Sequence, residues 1–322
     1  MNRTTNGCKH AIPIQPNEIV VTSPVCEYDA PVLAAQSDKP PLLRTLLILG
    51  RVSNLPTVWS NCLAGWLLAG GTEWIRFTLL CIGASLLYIG GMFLNDACDV
   101  RFDTAHRQER PIPSGAISAR AVWLWSAALL LGGSLLLAEL GLTTALLTLG
   151  LVLCIVAYDL VHKQTALAPL LMAGCRFLLY LVAGSAALNG LSAKLLWCAG
   201  ALALYIVGLS FIARKEAQNV KPDRRASAAL MAPVVLALLS VNSQNVFSLN
   251  AILIGFLIWV TWSLRRMTKG GAPAIGRTVS ALLAGIVLVD MLAVQGGGGM
   301  MPLAFLALFV SALILQRTIP AT

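Results

Sequence analysis

The sequence predicts an all-α membrane protein, a bundle of nine to ten transmembrane helices. Of its 322 residues, 57% are hydrophobic and the mean hydropathy is +0.79, whereas apolar residues make up about 45–50% of soluble domains. Apolar runs of about 17–22 residues, long enough to cross a bilayer core, recur along the chain. The alternation of apolar and polar residues that a transmembrane barrel requires is absent. We therefore expect the chain to cross a membrane repeatedly as helices, in contact with membrane lipids.

The ten predicted spans are apolar segments separated by polar loops. They cover residues 43–70, 76–95, 119–138, 142–158, 166–188, 194–212, 226–242, 247–264, 277–294 and 300–316. Pro56 interrupts the first segment, so either a kink or a short helix before the span is expected. Residues 1–41 are polar and lack both apolar periodicity and a signal-peptide core. They are predicted to form a disordered cytoplasmic tail ahead of a transmembrane domain at 42–317.

The basic residues alternate between the two sides of the predicted membrane. Twenty of the 23 Lys and Arg residues lie in the tail, after even-numbered spans or at the C-terminal end, while Arg76 and Lys194 lie on the other side and Arg176 lies within a span. This asymmetry predicts an integral, multi-pass protein of a bacterial inner membrane with both termini cytoplasmic. The net charge of +9 is therefore assigned to topology and anionic ligands, and no nucleic-acid partner is predicted.

The segment Asn95–Gly115 carries the clearest functional pattern. On a helix, Asp96, Asp99 and Asp103 fall within about 60° of arc, so the three carboxylates point the same way. Three like charges at a membrane boundary require cations, and Mg²⁺ prefers carboxylate oxygens together with the phosphate oxygens of a substrate. This stripe of three aspartates therefore predicts binding of a hard divalent cation, such as Mg²⁺, together with a phosphate-bearing ligand.

Polar neighbours of the stripe extend this prediction. Asn95 has an amide that can bind a phosphate oxygen or a metal ion, and Arg107 and Arg110 can pair with phosphate oxygens. The pattern NDxxDxxxD at the end of the second span, followed by RPIPSG, resembles the first aspartate-rich motif of the UbiA superfamily of intramembrane prenyltransferases. The resemblance covers the chain from about Arg51 to about Val294.

This resemblance implies a UbiA-like helical bundle around a central cavity. It implies an enzyme that uses Mg²⁺ to transfer a prenyl group from an isoprenyl diphosphate to an aromatic or other lipophilic acceptor within the membrane. Asp96, Asp99 and Asp103 are then the expected metal-binding and catalytic residues. The common family architecture has nine helices, so the segment 300–316 is expected to be an additional one.

The loop after the fourth span matches a second feature of the family. Tyr158 and Lys163 occupy positions that face the diphosphate in UbiA-type enzymes, so both are predicted to act in catalysis and substrate binding. Lys163 is also the only Lys or Arg in this loop. Asp159 is expected either to orient Lys163 or to act as a base on the acceptor. His162 is expected to have either a plain interfacial role or a role in proton transfer.

The loop after the sixth span departs from the family pattern. UbiA enzymes usually carry a second aspartate-rich motif of DxxxD type there, but this chain has Arg214, Lys215 and Glu216 and no aspartate pair at that spacing. Glu216 is predicted to bind metal, and Arg214 and Lys215 are predicted to bind substrate. Whether a second Mg²⁺ binds stays open. This loop is similar to that of EboC-like members of the superfamily.

Polar residues inside the spans are further candidates. Asn54, which opens the first span, is predicted to line the cavity and bind substrate, or else to form a helix-packing hydrogen bond. Arg176 and Asp290 are ionisable groups at membrane depth and are either functional or a structural pair. Asn61 is expected near an interface.

Two alternatives to prenyl transfer follow from the same residues. Alcohol-phosphate transfer with a nucleotide-activated lipid also uses clustered aspartates, but its motif needs a glycine where this chain has Val100 after Asp99. A UbiA-like protein that binds or moves an isoprenoid or pigment precursor without turnover is the second alternative. The reduced loop after the sixth span is the observation that motivates this second alternative.

Overall fold

The computed structural model describes residues 41–163, 165–216, 224–240, 246–269, 272–295 and 300–320. Within these ranges the side chains of 215–216, 224, 246–248, 268–269 and 272–275 lie outside the description. The helices are α1 (Leu42–Leu49), α2 (Leu55–Leu68), α3 (Trp74–Cys98), α4 (Val100–His106), α5 (Ala119–Ala138), α6 (Leu142–Val161), α7 (Ala168–Ser185), α8 (Ala193–Glu216), α9 (Arg224–Ala229), α10 (Ala232–Leu239), α11 (Val246–Lys269), α12 (Ala272–Ala284), α13 (Ile286–Ala293) and α14 (Met301–Thr318). The predicted tail 1–41 falls almost entirely outside these residues.

The helices follow the ten predicted spans. Seven helical segments in the described chain are long and apolar enough to cross a membrane. They are Trp74–Cys98, Ala119–Ala138, Leu142–Val161, Ala168–Ser185, Ala193–Arg214, Gly276–Ala293 and Met301–Thr318. The three other predicted spans correspond to α1 with α2, to α9 with α10, and to α11. The prediction of an all-α membrane bundle is therefore confirmed.

The first predicted span is broken into two helices just before Pro56. Arg51 has a left-handed backbone (φ 42°), and a short 3₁₀ turn at Val52–Asn54 leads into α2. Proline is tolerated in the first turn of a helix because its missing N–H has no partner there. Pro56 accordingly begins a new helix instead of bending a continuous one, which realises the second of the two predicted alternatives.

Close contact between α3 and α5 fixes one side of the bundle. A Cβ atom on Gly133 would lie 2.9 Å from the Gly83 carbonyl oxygen, and one on Gly83 would lie 2.6 Å from Leu137. Ser126 on α5 donates a hydrogen bond to the Gly90 carbonyl of α3 (2.9 Å). Small residues permit such close backbone approach in membranes, where apolar burial does not drive helix association. α3 is thereby held against α5, and its C-terminal end carries the aspartate stripe.

A second close contact joins α2 to α7 and leads to a stability prediction. A Cβ atom on Gly65 would lie 2.8 Å from both the Tyr180 carbonyl oxygen and the Ala183 Cβ. We expect Gly65→Ala to lower stability by about 1–3 kcal/mol, the usual effect of overpacking, measured as a lower thermal midpoint in lipid nanodiscs. Gly200→Ala on α8 is the matched control, because nothing lies within 4 Å of its Cβ position. Equal midpoints for the two variants would contradict the contact.

Candidate active site

The site forms on the side of the bundle where α3 and α6 end and where the turn before α2 lies. The helical hydrogen bonding of α3 continues through Asp99 into α4, since the Asp99 N–H bonds the Asn95 carbonyl (3.0 Å) and the Asp103 N–H bonds the Asp99 carbonyl (2.9 Å). The three aspartates of the stripe therefore stay on one helical face across the junction between α3 and α4. After α4, the Ser114 N–H donates to the Arg110 carbonyl (2.9 Å) and Gly115 adopts φ +73°. This compact turn leaves Arg110 in contact with the stripe.

Arg110 is shared between two of the three aspartates. Its Nη1 lies 3.0 Å from Asp96 Oδ1 and 3.0 Å from Asp103 Oδ2. Arg51, from the turn before α2, adds Nη2 contacts to Asp96 Oδ1 (3.3 Å) and Asn95 Oδ1 (3.4 Å). The side chains of Asp96 and Asp103 are only 8% and 2% exposed. Two nearly buried carboxylates are thus compensated by two arginines at the mouth of the bundle.

The third aspartate pairs with the loop after α6. Lys163 Nζ lies 2.6 Å from Asp99 Oδ1, and His162 Nε2 lies 3.4 Å from Asp99 Oδ2. Burial by itself would raise the pKa of Asp99, but hydrogen bonding to His162 and Lys163 outweighs burial and holds that pKa below its usual value. Asp99 in turn raises the pKa of His162. The lysine also lies 4.0 Å from the centre of the Phe102 ring.

Asn95 and Asp159 connect the two helix ends directly. Asn95 Nδ2 donates to Asp159 Oδ1 at 3.0 Å, and both residues are buried. Of the two predicted roles for Asp159, orienting Lys163 has no support in these contacts, because Lys163 is paired with Asp99. Asp159 Oδ2 is buried without a hydrogen-bond partner among the described residues.

The donor set fits a hard divalent cation. Carboxylate oxygens are the preferred ligands of Mg²⁺, which commonly binds through one or two of them and completes its shell with substrate phosphates. Asp103 Oδ1 is buried and has no hydrogen-bond partner in the described part of the chain. As the side chains stand, no three His, Cys, Asp or Glu groups of the described residues could hold a metal ion together, and Arg110 and Lys163 contact all three aspartates of the stripe. Asp96, Asp99 and Asp103 are the residues that would hold Mg²⁺.

Three of the remaining predicted site residues have different surroundings. Tyr158 lies within the site, with its ring stacked on His162 at 5.1 Å between centroids. Asn54 is buried at the start of α2. Arg107 is exposed and forms no ion pair or side-chain hydrogen bond with the residues described here. The predicted roles of Asn54, Tyr158 and Arg107 stay predictions.

The C-terminal end of α8 carries three further predicted site residues, and the loop 217–223 that follows lies outside the described residues. Arg214 is exposed and donates from Nη2 to the Thr165 carbonyl (2.8 Å) and from Nη1 to the Ala166 carbonyl (3.3 Å). Its guanidinium therefore binds backbone carbonyls just after Lys163. Among the described residues, Arg214 has no contact with an aspartate of the stripe. The side chains of Lys215 and Glu216 lie outside the described set, so their predicted roles stay predictions.

Sequence reasoning missed Arg51 as a site residue. At the entrance of the first span the sequence predicts Asn54 as a site residue, whereas Arg51 is the residue that contacts Asp96. The available signal was a basic residue directly before the break that Pro56 indicates in the first span. His162 also belongs to the site, since it faces Asp99.

A second polar cluster lies deeper in the bundle. Asp290 on α13 accepts hydrogen bonds from Ser60 Oγ (2.5 Å), Asn61 Nδ2 (2.7 Å) and Tyr180 OH (2.9 Å). Asn61 Oδ1 in turn accepts from Arg176 Nη1 at 2.7 Å. The expectation that Asn61 sits near an interface is wrong, because it is fully buried between these two charged residues.

Residues 55–292 match the sequence profile of the UbiA prenyltransferase family. A digeranylgeranylglyceryl phosphate synthase from Methanoregula boonei is 28% identical over 242 residues, which cover 69% of this chain and 80% of that protein. A second synthase of this name, from Methanothrix thermoacetophila, is 37% identical over 94 residues, 29% of this chain and 35% of that protein. A 4-hydroxybenzoate octaprenyltransferase from Pseudomonas fluorescens is 30% identical over 112 residues, 34% of this chain and 37% of that protein. The last two alignments span about a third of each relative's length.

Solved structures share the arrangement of helices. A UbiA homolog from Archaeoglobus fulgidus bound to GPP and Mg²⁺ superposes with a TM-score of 0.55 at 13% identity, covering 77% of this chain and 99% of that one. A structure of digeranylgeranylglyceryl phosphate synthase superposes with a TM-score of 0.53 at 18% identity, covering 85% of this chain and 99% of that one. At these identities the likeness concerns the fold alone, and it agrees with the predicted bundle.

Proposed function

The chain belongs to the UbiA prenyltransferase family, and on that premise we propose that it transfers a prenyl group from an isoprenyl diphosphate to a lipophilic acceptor held within the membrane, with Mg²⁺. The named relatives are synthases or prenyltransferases. One structural neighbour is bound to GPP and Mg²⁺ and another to DMAPP and Mg²⁺. These ligands belong to those proteins and support the proposed diphosphate substrate here.

The observation that carries the proposal is the ion pairing of the stripe. Arg110 contacts Asp96 and Asp103, and Lys163 contacts Asp99. Ion pairs hold these cations next to the carboxylates. With a metal ion and a diphosphate bound, the carboxylates would hold the metal and the basic side chains would pair with phosphate oxygens. A solvated acidic loop would not need basic residues from two separate helix ends.

The proposed chemistry assigns a role to each group of residues. Mg²⁺, when bound, supplies Lewis-acid stabilisation of the negative charge that develops on the departing diphosphate. Arg110, Lys163 and Arg51 donate hydrogen bonds to the same leaving group, so that the bond to the allylic carbon breaks more easily. Tyr158 lies beside these basic residues, and Asn95 donates a hydrogen bond to Asp159. The prenyl chain extends into the apolar bundle, where the acceptor attacks the allylic carbon.

The placement in the membrane completes the proposal. The chain is an integral multi-pass protein, and the 20 basic residues assigned to one side support a cytoplasmic active site with both termini on that face. We propose residues 42–317 as the catalytic domain and residues 1–41 as a cytoplasmic tail. A bacterial inner membrane is the proposed location.

Removing the metal tests the proposal. We expect the purified full chain in lipid nanodiscs to convert isotopically labelled geranyl diphosphate and a lipophilic acceptor, such as 4-hydroxybenzoate, to a prenylated product in the presence of Mg²⁺. EDTA should abolish the product, because the negative charge on the departing diphosphate is no longer stabilised by the metal ion. Added MgCl₂ should restore that stabilisation and with it the product. Product is measured by thin-layer radiochromatography.

The outcomes separate the proposal from its alternative. Tight binding of geranyl diphosphate and Mg²⁺ without product, for any allylic chain length or acceptor, would favour the non-catalytic protein that binds or moves an isoprenoid. Failure to bind the diphosphate at all would contradict both. Product formation that is insensitive to EDTA would contradict the role of the metal.

A further inference from the structure

The last helix, α14, packs onto the bundle through one narrow face. Phe305 and Ala312 are fully buried, and the Phe309 ring meets the Trp259 ring of α11 edge-on at 4.9 Å between centroids. The opposite face is exposed and apolar, as expected for a helix that contacts lipid. It consists of Leu303, Leu306, Val310 and Ile314. α14 also lies beyond residues 55–292, which match the family profile, so the family match assigns it no role.

The C-terminal end of α14 reaches the turn before α2. The helix packs against α2, α12 and α13 and also against the 3₁₀ turn at Val52–Asn54. α14 ends at Thr318, and Ile319 adopts an extended backbone (φ −125°, ψ 120°). The Pro320 carbonyl accepts a hydrogen bond from the Oγ of Ser53 (3.4 Å), which is fully buried. Two segments 267 residues apart in sequence are therefore joined at this turn.

The same turn determines where the Arg51 side chain lies. The left-handed backbone of Arg51 (φ 42°) is unfavourable for a residue with a Cβ atom and persists only where the surroundings hold it. Its N–H bonds the Ile48 carbonyl and its carbonyl accepts from the Asn54 N–H, both at 3.0 Å. From this backbone the guanidinium reaches Met92 Sδ (3.5 Å) and Asp96 Oδ1 (3.3 Å). A shift of the turn would therefore move Arg51 away from the stripe.

α1, α2 and α14 pack against the turn, and the first two flank it in sequence. α1 has eight residues, of which only Thr45 and Leu49 are buried, so it offers the turn little support. α2 continues directly from the turn and fixes its position at one end only. α14 approaches from elsewhere in the chain, and its hydrogen-bond partner Ser53 is two residues from Arg51. The contact with α14 therefore supports the turn close to the arginine.

We propose that α14 holds this turn in place, and that Ser53 and the C-terminal end of α14 are thereby positioning elements for Arg51 at the active site. They act by keeping the guanidinium beside Asp96. This inference rests on the proposed prenyl transfer for the role of Arg51, which is to donate hydrogen bonds to the departing diphosphate. The additional helix accordingly supports binding of the diphosphate without contributing a group to it.

Hydrogen exchange of the turn tests the support by α14 without any ligand. The full chain in lipid nanodiscs is compared with Ser53→Ala and with a chain that ends at Thr318, which keeps α14 and lacks Pro320. We expect amides in the peptide covering 50–55 to exchange at least about threefold faster in both variants, the effect of losing one hydrogen bond. Combining the two changes should add little, because they remove the same contact. Ile314→Ala, on the exposed face of α14, is the control and should match wild type.

Binding of geranyl diphosphate with MgCl₂ tests the consequence for Arg51. Measured by calorimetry in nanodiscs, Ser53→Ala and the shortened chain should each bind it about threefold more weakly than wild type. Arg51→Gln should weaken binding at least about tenfold, because a charge-assisted hydrogen bond is lost. In the Arg51→Gln background the same two changes should have less than about a 1.5-fold effect, because the group they position is already absent. Purely structural damage would instead weaken binding equally in both backgrounds.

Three results would overturn the inference. Unchanged exchange at residues 50–55 in both variants would show that α14 does not hold the turn. Faster exchange with unchanged affinity for geranyl diphosphate, or the same loss of affinity in the wild-type and Arg51→Gln backgrounds, would show that the turn does not position this arginine. If wild type itself fails to bind geranyl diphosphate, the proposed prenyl transfer is contradicted, while the exchange measurement still decides separately whether α14 supports the turn.

Discussion

Asp96→Asn is expected to reduce prenyl transfer by about 10²–10³-fold, the usual loss when one electrostatic contact to a transition state is removed. Asp96 Oδ1 is contacted by both Arg51 and Arg110. The amide keeps the shape of the side chain but removes its charge, so it weakens a proposed metal ligand and releases two arginines. The half-saturating Mg²⁺ concentration should rise together with the loss of turnover, and both are measured in steady-state assays with geranyl diphosphate.

Glu109→Gln is the matched control for this substitution. Glu109 lies in the turn after α4, shortly beyond the stripe, and is exposed, and surface substitutions away from special features usually have small effects. We expect its activity and Mg²⁺ dependence to equal those of wild type. Asp96→Asn activity above a tenth of wild type, or the same loss in Glu109→Gln, would show that the stripe is not the metal-binding element.

The spans were predictable because their signal is local. An apolar run of sufficient length predicts a membrane helix wherever it occurs, and all ten predicted segments correspond to helices or pairs of helices. The breaks within segments were less predictable. Pro56 indicated the first break, but Arg51 takes a left-handed backbone that its residue type does not favour. The division of the ninth segment at Gly285 reflects packing, since a Cβ there would lie 2.7 Å from the Tyr205 hydroxyl.

The site was predictable to the extent that it lies on one helix. Asp96, Asp99 and Asp103 face one way because of helical periodicity alone, and the structure keeps this arrangement through the junction at Asp99. Contacts between helices could not be inferred in the same way. Nothing in the spacing distinguishes Arg107 from Arg110 as the partner of the stripe, because the choice depends on how the following turn folds back.

The deep cluster illustrates the same limit more strongly. Asn61, Arg176 and Asp290 come from three different helices, so no sequence interval relates them. Arg176 and Asp290 could be identified as costly ionisable residues at membrane depth from their positions within apolar segments, whereas Asn61 was expected near an interface. Their connection through hydrogen bonds at 2.7 Å on each side of Asn61 follows only from the packing of α2 against α7 and α13.

Arg110→Met is expected to cost both stability and activity, and a double variant separates the two effects. Removing this arginine leaves Asp96 and Asp103 without their shared partner, and Asp103 is only 2% exposed. Breaking a buried ion pair on one side typically costs about 3–5 kcal/mol, so the thermal midpoint in nanodiscs should fall. Turnover should fall by about 10²–10³-fold, because a donor to the departing diphosphate is lost as well. Arg101→Met, at an exposed arginine on α4, should leave both quantities unchanged, and Arg107→Met should cost less than Arg110→Met.

In the double variant Arg110→Met with Asp103→Asn, the unpaired buried charge is removed together with its former partner. Stability should therefore recover toward that of wild type, since replacing both partners of a buried pair is far less costly than removing one. Activity should not recover, because a proposed phosphate-binding arginine and a proposed metal ligand are then both absent. Recovery of turnover along with the thermal midpoint would mean that Arg110 only neutralises the stripe, and the proposed role of this residue at the diphosphate would have to be abandoned.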